Sequence, residues 1–523
     1  MLDLKLVNGT ILTMDPVRPV AGRIGVWRGR VVGLDEDVDR LPAGEVTDLG
    51  GATVLPGFVD AHVHLAWAGL KRRTPSVAPC ADPAEVLARI AEAAARRRPG
   101  DWVDVAGYDQ RALGRHLTAA ELDATAPGRR ILLLHDSGHS CVVSTPVLDL
   151  LPRGIAHADG VLNEQGAAAA RALRMPYPLA DLADAVEEAA LDCRAQGVTA
   201  CAEAGVGGGL IAHSAVELAA YQRLRDAGRL PLRVRLMVAA DALHPVAAHP
   251  DDDLPAGLDL GLRGGFGDDL LALGALKVFT DGGMMPRTAA LTRPYEGLDH
   301  AGQLYADPDA LTRRIVTGHR AGWQLAIHAI GDRAVDLALD ALDAAQRAHP
   351  RTGTRHRIEH AGLVRPDQLA RLAATGAAAV VQPGFLWHFG DDYAALMGEE
   401  RAPWLYRGRA FLDHGVPLVA SSDRPVTEGA PLRGIQTMVE RRSAGGRSVG
   451  PDEAVTVEEA LRAYTVDAAR ACHWEHALGS LTPGRLADLV VLADDPRRVD
   501  PATIADIEIL ASYLGGEPAP PPH

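Results

Sequence analysis

Cysteine is scarce in this 523-residue chain: Cys80, Cys141, Cys193, Cys201 and Cys472 make five, scattered and without a Cys-x-x-Cys pair. An odd, dispersed set of thiols is the pattern of a reducing compartment rather than of a disulfide framework. Long apolar runs are also missing, so nothing reaches the length of a membrane span. The opening residues Met1-Leu-Asp-Leu-Lys-Leu-Val-Asn-Gly9 lack the charged region and apolar stretch of a signal peptide. A cytoplasmic protein is expected. Positive charge is short: 53 basic residues face 68 acidic ones, a formal net charge of -15. That balance argues against the basic patches that nucleic acid and anionic membranes require, and makes a small molecule the expected partner; a homodimer is left open. Lysine is rarer still, with Lys5, Lys71 and Lys277 its sole occurrences among the 53 basic residues. Aromatic residues amount to 4%.

What is plentiful is aliphatic. At 47% hydrophobic content the chain can bury a large core, and its length suits a (β/α)8 barrel with additions. Residues 3 to 54 read as short strands with turns, among them the Asn8-Gly9 hairpin signal. A similar alternation returns in Ala487 to Leu492 and Ile507 to Tyr513, ahead of a proline-rich tail. Neither terminal piece can bury a core alone, so the two are expected to complete one sheet. Between them lie eight apolar strand candidates that end in polar residues: Phe58 to His64, Val198 to Glu203, Leu232 to Val238, Leu273 to Asp281, Gln324 to His328, His356 to His360, Ala378 to Gln382 and Val416 to Asp423. Alternating with alanine-rich helical stretches, they predict an α/β fold: a (β/α)8 TIM barrel over 57–475 with a composite β-sandwich from 1–56 plus 476–523. The stretch 67–184 exceeds any ordinary loop and carries helices and a strand of its own, so it reads as a subdomain inserted after the first barrel strand and overhanging the mouth.

Leu55-Pro-Gly-Phe-Val-Asp-Ala-His-Val-His-Leu65 is the stretch on which chemistry centres. Successive side chains on a strand alternate, so His62 and His64 share a face and can reach one metal ion at a barrel mouth. A strand edge with two solvated histidines is the plain alternative. Lys277, His328, His360 and Asp423 stand at the ends of other strands, and in a barrel those ends meet.

Leu55 to His64, His328-Ala-Ile-Gly-Asp-Arg-Ala334, Arg357-Ile-Glu-His-Ala361, Ser422-Asp-Arg-Pro425 and Gly484-Arg-Leu-Ala-Asp-Leu-Val-Val491 together resemble the metal-dependent amidohydrolase superfamily. More narrowly the chain is similar to amidohydrolase family 3, the branch that includes N-substituted formamide deformylases, over nearly its whole length. The resemblance implies zinc or another divalent ion, with two ions favoured over one. His62 and His64 would bind the more buried metal and His328 and His360 the second, while Asp423 would touch a metal and act as catalytic base and acid. Lys277 would be the candidate N6-carboxylysine bridging two ions. That chemistry needs a neutral amine, which arginine cannot supply; pairing of Lys277 with Asp281 is the structural alternative. A divalent ion lowers the pKa of water toward about 7 and polarises a carbonyl, which makes amide cleavage feasible near neutral pH.

Candidate substrate contacts are Trp67, Asp136, His139, Met285, Arg287 and Trp387. Glu203 is open between ligand, supporting group and polar rim, and Glu359 is expected by alternation to point away from His360. The function expected is hydrolysis of a non-peptide C–N bond in a linear amide or N-substituted formamide. A cyclic amide hydrolase or deaminase would use the same metals. A non-catalytic binding or regulatory protein is the reading from another class.

Overall fold

The computed structural model describes residues 1–135, 140–163, 165–208 and 210–519. Contacts divide them into two compact units, one comprising 1–65, 186–212 and 216–523, the other 66–185 with 213–215.

In the first unit the two ends of the chain share a sheet. The N-terminal strand Thr53–Pro56 pairs antiparallel with Leu489–Leu492, which pairs in turn with Ile509–Leu514. A separate four-stranded sheet contains Leu2–Val7, Ile24–Trp27, Arg30–Leu34 and Ala43–Asp48. Leu6, Ile11, Val54 and Leu489 from both sheets lie in one buried cluster, so neither segment has to bury its apolar face alone.

The rest of this unit is built on eight parallel strands: β1 (Phe58–Val63), β2 (Val198–Val206), β3 (Arg233–Ala239), β4 (Leu271–Phe279), β5 (Leu325–Ala329), β6 (Arg357–His360), β7 (Ala378–Val381) and β8 (Leu418–Ala420). They neighbour one another in chain order. A parallel bridge between Val63 and Arg424 brings the two edges together, with the Asp423 N–H donating to His62 O and the His64 N–H to Arg424 O, both at 2.8 Å. Val59, Ala61, Ala200, Ala202, Met237, Ala275, Ala326, Val380 and Val419 form a core of mostly small residues. The fold is TIM-barrel-like.

Two expectations need correction. The regular alternation with helices fails between β3 and β4, where 240–270 runs through three single 3-10 turns and the short pair His244–Pro245 and Ala256–Gly257. Pro245, Pro250 and Pro255, with Gly257 and Gly261, interrupt every stretch long enough for a helix. The eighth strand is also shorter than expected: Asp423 lies three residues past its end, at φ +54.

At the N-terminal ends of β5 and β6 two further histidines are buried. The Leu325 N–H donates to His356 Nδ1 (2.9 Å), His356 Nε2 meets His319 Nδ1 (2.8 Å), and His319 Nε2 meets the His349 carbonyl (2.7 Å). One tautomer satisfies the chain: Nε2–H on both rings, with neither charged.

The second unit has its own four-stranded sheet, Trp102–Tyr108, Arg130–His135, Ser140–Val143 and Val161–Asn163. The helix Pro83–Ala95 is capped by Asp82, and Ala119–Thr125 by a reciprocal Thr118 and Glu121 box. Val86, Ile90, Val103, Val105 and Ile131 bury a core separate from the barrel's.

Candidate metal centre

β1 delivers His62 as alternation requires, and His64 follows one residue past the strand end. Their rings lie 5.4 Å apart centroid to centroid; His62 lies 4.9 Å from His360, and His360 4.5 Å from His328. The four imidazoles form one buried cluster. His62, His64 and Asp423 offer ligand atoms within 4.8 Å of one another. His360 and Asp423 reach the cluster from left-handed backbone, φ +73 and +54. Such conformations are strained for residues with a Cβ, and such strain concentrates at functional sites.

Each ring is held from behind. Glu359 Oε2 accepts from His62 Nδ1 at 2.5 Å, Asp281 Oδ1 lies 3.0 Å from His328 Nδ1, and Gln382 Oε1 lies 2.8 Å from His360 Nδ1. His64 Nδ1 faces Glu203 Oε1 at 3.7 Å, and Glu203 is fixed by the Leu65 N–H and the Tyr221 hydroxyl. An acceptor at Nδ1 puts the ring proton there and leaves the lone pair on Nε2, the arrangement by which proteins orient metal-ligating histidines. His62 Nε2 sits 3.4 Å from Lys277 Nζ and 3.5 Å from Asp423 Oδ1, and His64 Nε2 sits 3.0 Å from the same oxygen. Even so, Asp423 Oδ1 is buried without a partner in hydrogen-bond geometry among the described residues. A His62 lone pair beside a buried carboxylate oxygen suits a cation, and so does the negative charge that Asp423 and Glu203 bring to His64.

The electrostatics agree. Burial presses the His64 imidazole down, yet Asp423 and Glu203 outweigh it and lift the group to about 9, so the pocket favours positive charge at this point. Burial holds His328 and His360 at about 3, as neutral donors. Lys277, 1% exposed, is pushed down to about 8 by burial despite the attraction of Glu359 and Asp423. It does not pair with Asp281, whose carboxylate accepts from the backbone N–H groups of Ile330, Gly331 and Ala290.

Glu359 leaves His360, as alternation requires, and sits under His62 on the other side of the ring of strands. Glu203 acts as a support. Asp60 was missed: it accepts from the His62 N–H and from the backbone and hydroxyl of Ser422, tying β1 to the turn that carries Asp423. A carboxylate two residues before a histidine on the same strand face was the available signal. Arg357, Asp281 and Gln382 carried none that spacing could reveal.

The candidate substrate contacts fare unevenly. Asp136 and His139 lie outside the described residues. Trp67 is 36% exposed and belongs to the second unit. Met285 and Arg287 are exposed, whereas the neighbouring Met284 is buried. Trp387 is covered by the Arg433 guanidinium, 4.2 Å from its ring. Phe279, which the sequence reading passed over, lies 5.1 Å from His328 and 4.8 Å from Lys277 Nζ, with the Tyr305 ring edge-on to it at 6.3 Å.

A parallel barrel with imidazoles, a lysine and a carboxylate converging at one end of its strands has the architecture of a barrel enzyme with a site suited to metal. The chain belongs to the amidohydrolase family, whose model matches residues 45–520. It is 31% identical over 558 aligned positions to an N-substituted formamide deformylase of Arthrobacter pascens, covering 99% of this chain and 98% of that one. It is 28% identical to the protein LONG AFTER FAR-RED 3 of Arabidopsis thaliana over 98% of this chain and 91% of the relative. A metal-dependent hydrolase of Pyrococcus horikoshii superposes with a TM-score of 0.79 at 27% identity, covering 95% of this chain and 99% of the other. Among the described residues no helix is long and apolar enough to cross a membrane.

Proposed function

We propose that this protein hydrolyses a non-peptide C–N bond, in a linear amide or N-substituted formamide, at a site holding zinc, with two ions favoured. The observation that carries the reading is the anchoring of His62, His328 and His360 through Nδ1, which leaves the Nε2 lone pair of each for a ligand bond, with an Asp423 oxygen 3.5 Å from His62 Nε2 and 3.0 Å from His64 Nε2. His62 and His64 with Asp423 would hold one ion, His328 and His360 a second, with Lys277 between. When bound, such an ion polarises a carbonyl and makes water a nucleophile near neutral pH.

The chain's own residues supply the rest. Asp423 takes a proton at Oδ1 and returns it to the departing nitrogen, since an amine leaves only once protonated. Lys277, desolvated so that a neutral amine is accessible, is the group suited to carboxylation. Phe279 and Tyr305 give the substrate an apolar wall beside His328. The likeness to a formamide deformylase over the full length supports the linear substrate class.

The test is metal content per chain by plasma mass spectrometry on protein purified without chelator, followed by a screen of N-substituted formamides against cyclic amides and aminopurines. Two ions and turnover of formamides support the proposal. No metal after zinc is supplied would overturn it, and turnover confined to rings would move the substrate class.

A further inference from the structure

Arg357 and Glu359 lie on β6 with 1% and 0% exposure. A charged pair so deep persists only when nearly every donor and acceptor is used. Arg357 Nε donates to Glu359 Oε1 at 2.7 Å and Nη2 to Oε2 at 2.9 Å, the forked geometry of guanidinium on carboxylate. Nη2 also donates to the Ala61 carbonyl at 2.6 Å, and Nη1 lies 3.4 Å from Cys472 Sγ. Ala61 immediately precedes His62, whose Nδ1 meets the same Glu359 Oε2 at 2.5 Å. β6 and β1 are not neighbours, since β7 and β8 stand between them around the ring. The two side chains therefore form a strut across the barrel that grips both the backbone before His62 and its ring.

We infer that Arg357 is a positioning residue that acts through Glu359 to fix the tautomer and orientation of His62. The inference rests on the metal-hydrolase reading for its purpose, though not for its geometry. The guanidinium keeps Glu359 an acceptor on both oxygens. An acceptor facing Nδ1 requires the ring proton there, so the lone pair is on Nε2, the nitrogen facing Asp423 and Lys277. Lysine could keep the charge but not the fork, because it presents a single ammonium.

Two measurements test this on the full-length protein. In [15N]histidine-labelled, metal-free protein, with His62 assigned by its loss in His62→Asn, the wild type should show Nδ1 protonated and Nε2 bare. Glu359→Gln, which preserves shape, should mix the tautomers, and Arg357→Met should do the same. In chelator competition, both variants should bind zinc about 10–100-fold more weakly, with Arg357→Lys in between. Excess zinc should recover most of the turnover. Nε2 protonated in the wild type, or zinc affinity unchanged in Glu359→Gln and Arg357→Lys while only the melting temperature falls, would overturn the inference and leave a structural strut. Should Arg357→Met fail to fold, Glu359→Gln and Arg357→Lys decide alone. If the wild type binds no zinc or turns over no amide while the tautomer pattern holds, the hydrolase reading fails and the strut stands.

Discussion

The two ends of the barrel both bury clustered histidines, and they use them oppositely. At the N-terminal ends of β5 and β6, each nitrogen of His319 and His356 has a partner, and the chain closes on backbone groups. At the C-terminal ends, His62, His328 and His360 are fixed at Nδ1, His62 Nε2 meets Lys277 Nζ at the long distance of 3.4 Å, and an Asp423 oxygen beside them has no partner in hydrogen-bond geometry among the described residues. Burial and clustering are common to both. What separates a structural imidazole from a ligand candidate is whether the second nitrogen's demand is met within the protein.

The sharpest test of that contrast is Asp423→Asn, which removes the carboxylate facing the incomplete end. Turnover should fall about 10²–10⁴-fold, read as kcat on the best amide found, while the N-terminal end remains intact. A loss below tenfold would mean that the proton is handled elsewhere. Next is Lys277→Ala with Lys277→Arg alongside. Metal content should drop from two ions per chain toward one or none in both, because arginine retains charge but cannot present a neutral amine. Mass spectrometry reads this, and an unchanged two-ion content would reduce Lys277 to a packing role.

The complete end should respond in stability rather than in metal. His356→Phe leaves the Leu325 N–H and His319 Nδ1 without partners, a cost of about 2–4 kcal/mol in urea unfolding, with zinc content unchanged. A change in metal content would break the comparison. Acid should then expose the same pair. His356 is held at about 3 by burial first and His319 second, against 6.5 for the ordinary group. A base with a lowered folded pKa binds fewer protons folded than unfolded, so its contribution is complete above pH 6.5 and lost as the pH falls toward 3. Zinc-saturated wild type should therefore still lose melting temperature between about pH 7 and about pH 5, and His356→Phe should lose less. Equal slopes would show that the pair does not govern acid stability. The smallest effect expected is that of Trp387→Ala: with its ring engaged by Arg433, KM and kcat should shift less than about threefold, within the range of side chains peripheral to a site.

Much of the C-terminal end was legible in advance because its information is local. A two-residue spacing on a strand puts His62 and His64 together, and a chain with three lysines that retains one at a strand end draws attention to it. The supports were not legible. Glu359 meets His62 across 297 positions and Asp60 meets Ser422 across 362, separations at which neither periodicity nor spacing carries information. Alternation turned Glu359 away from His360 but could not say what it would meet, because it locates a side chain relative to its own strand, whereas a closed barrel has a common interior where faces from distant strands meet. His356, which opens the strand candidate that His360 closes, and His319, which lies in no strand candidate, were set apart from the ligand candidates by position alone, and nothing local showed that they meet.

What the sequence determined by itself is therefore what depends on short range. It specified the apolar strands and their polar ends, the long stretch after the first strand that could not be a loop, and the residue types able to hold an ion. Tertiary structure decided which nitrogen of each imidazole is spent and which is left, because a tautomer is set by the group that packs behind the ring. Those groups come from strands brought together only when the barrel closes.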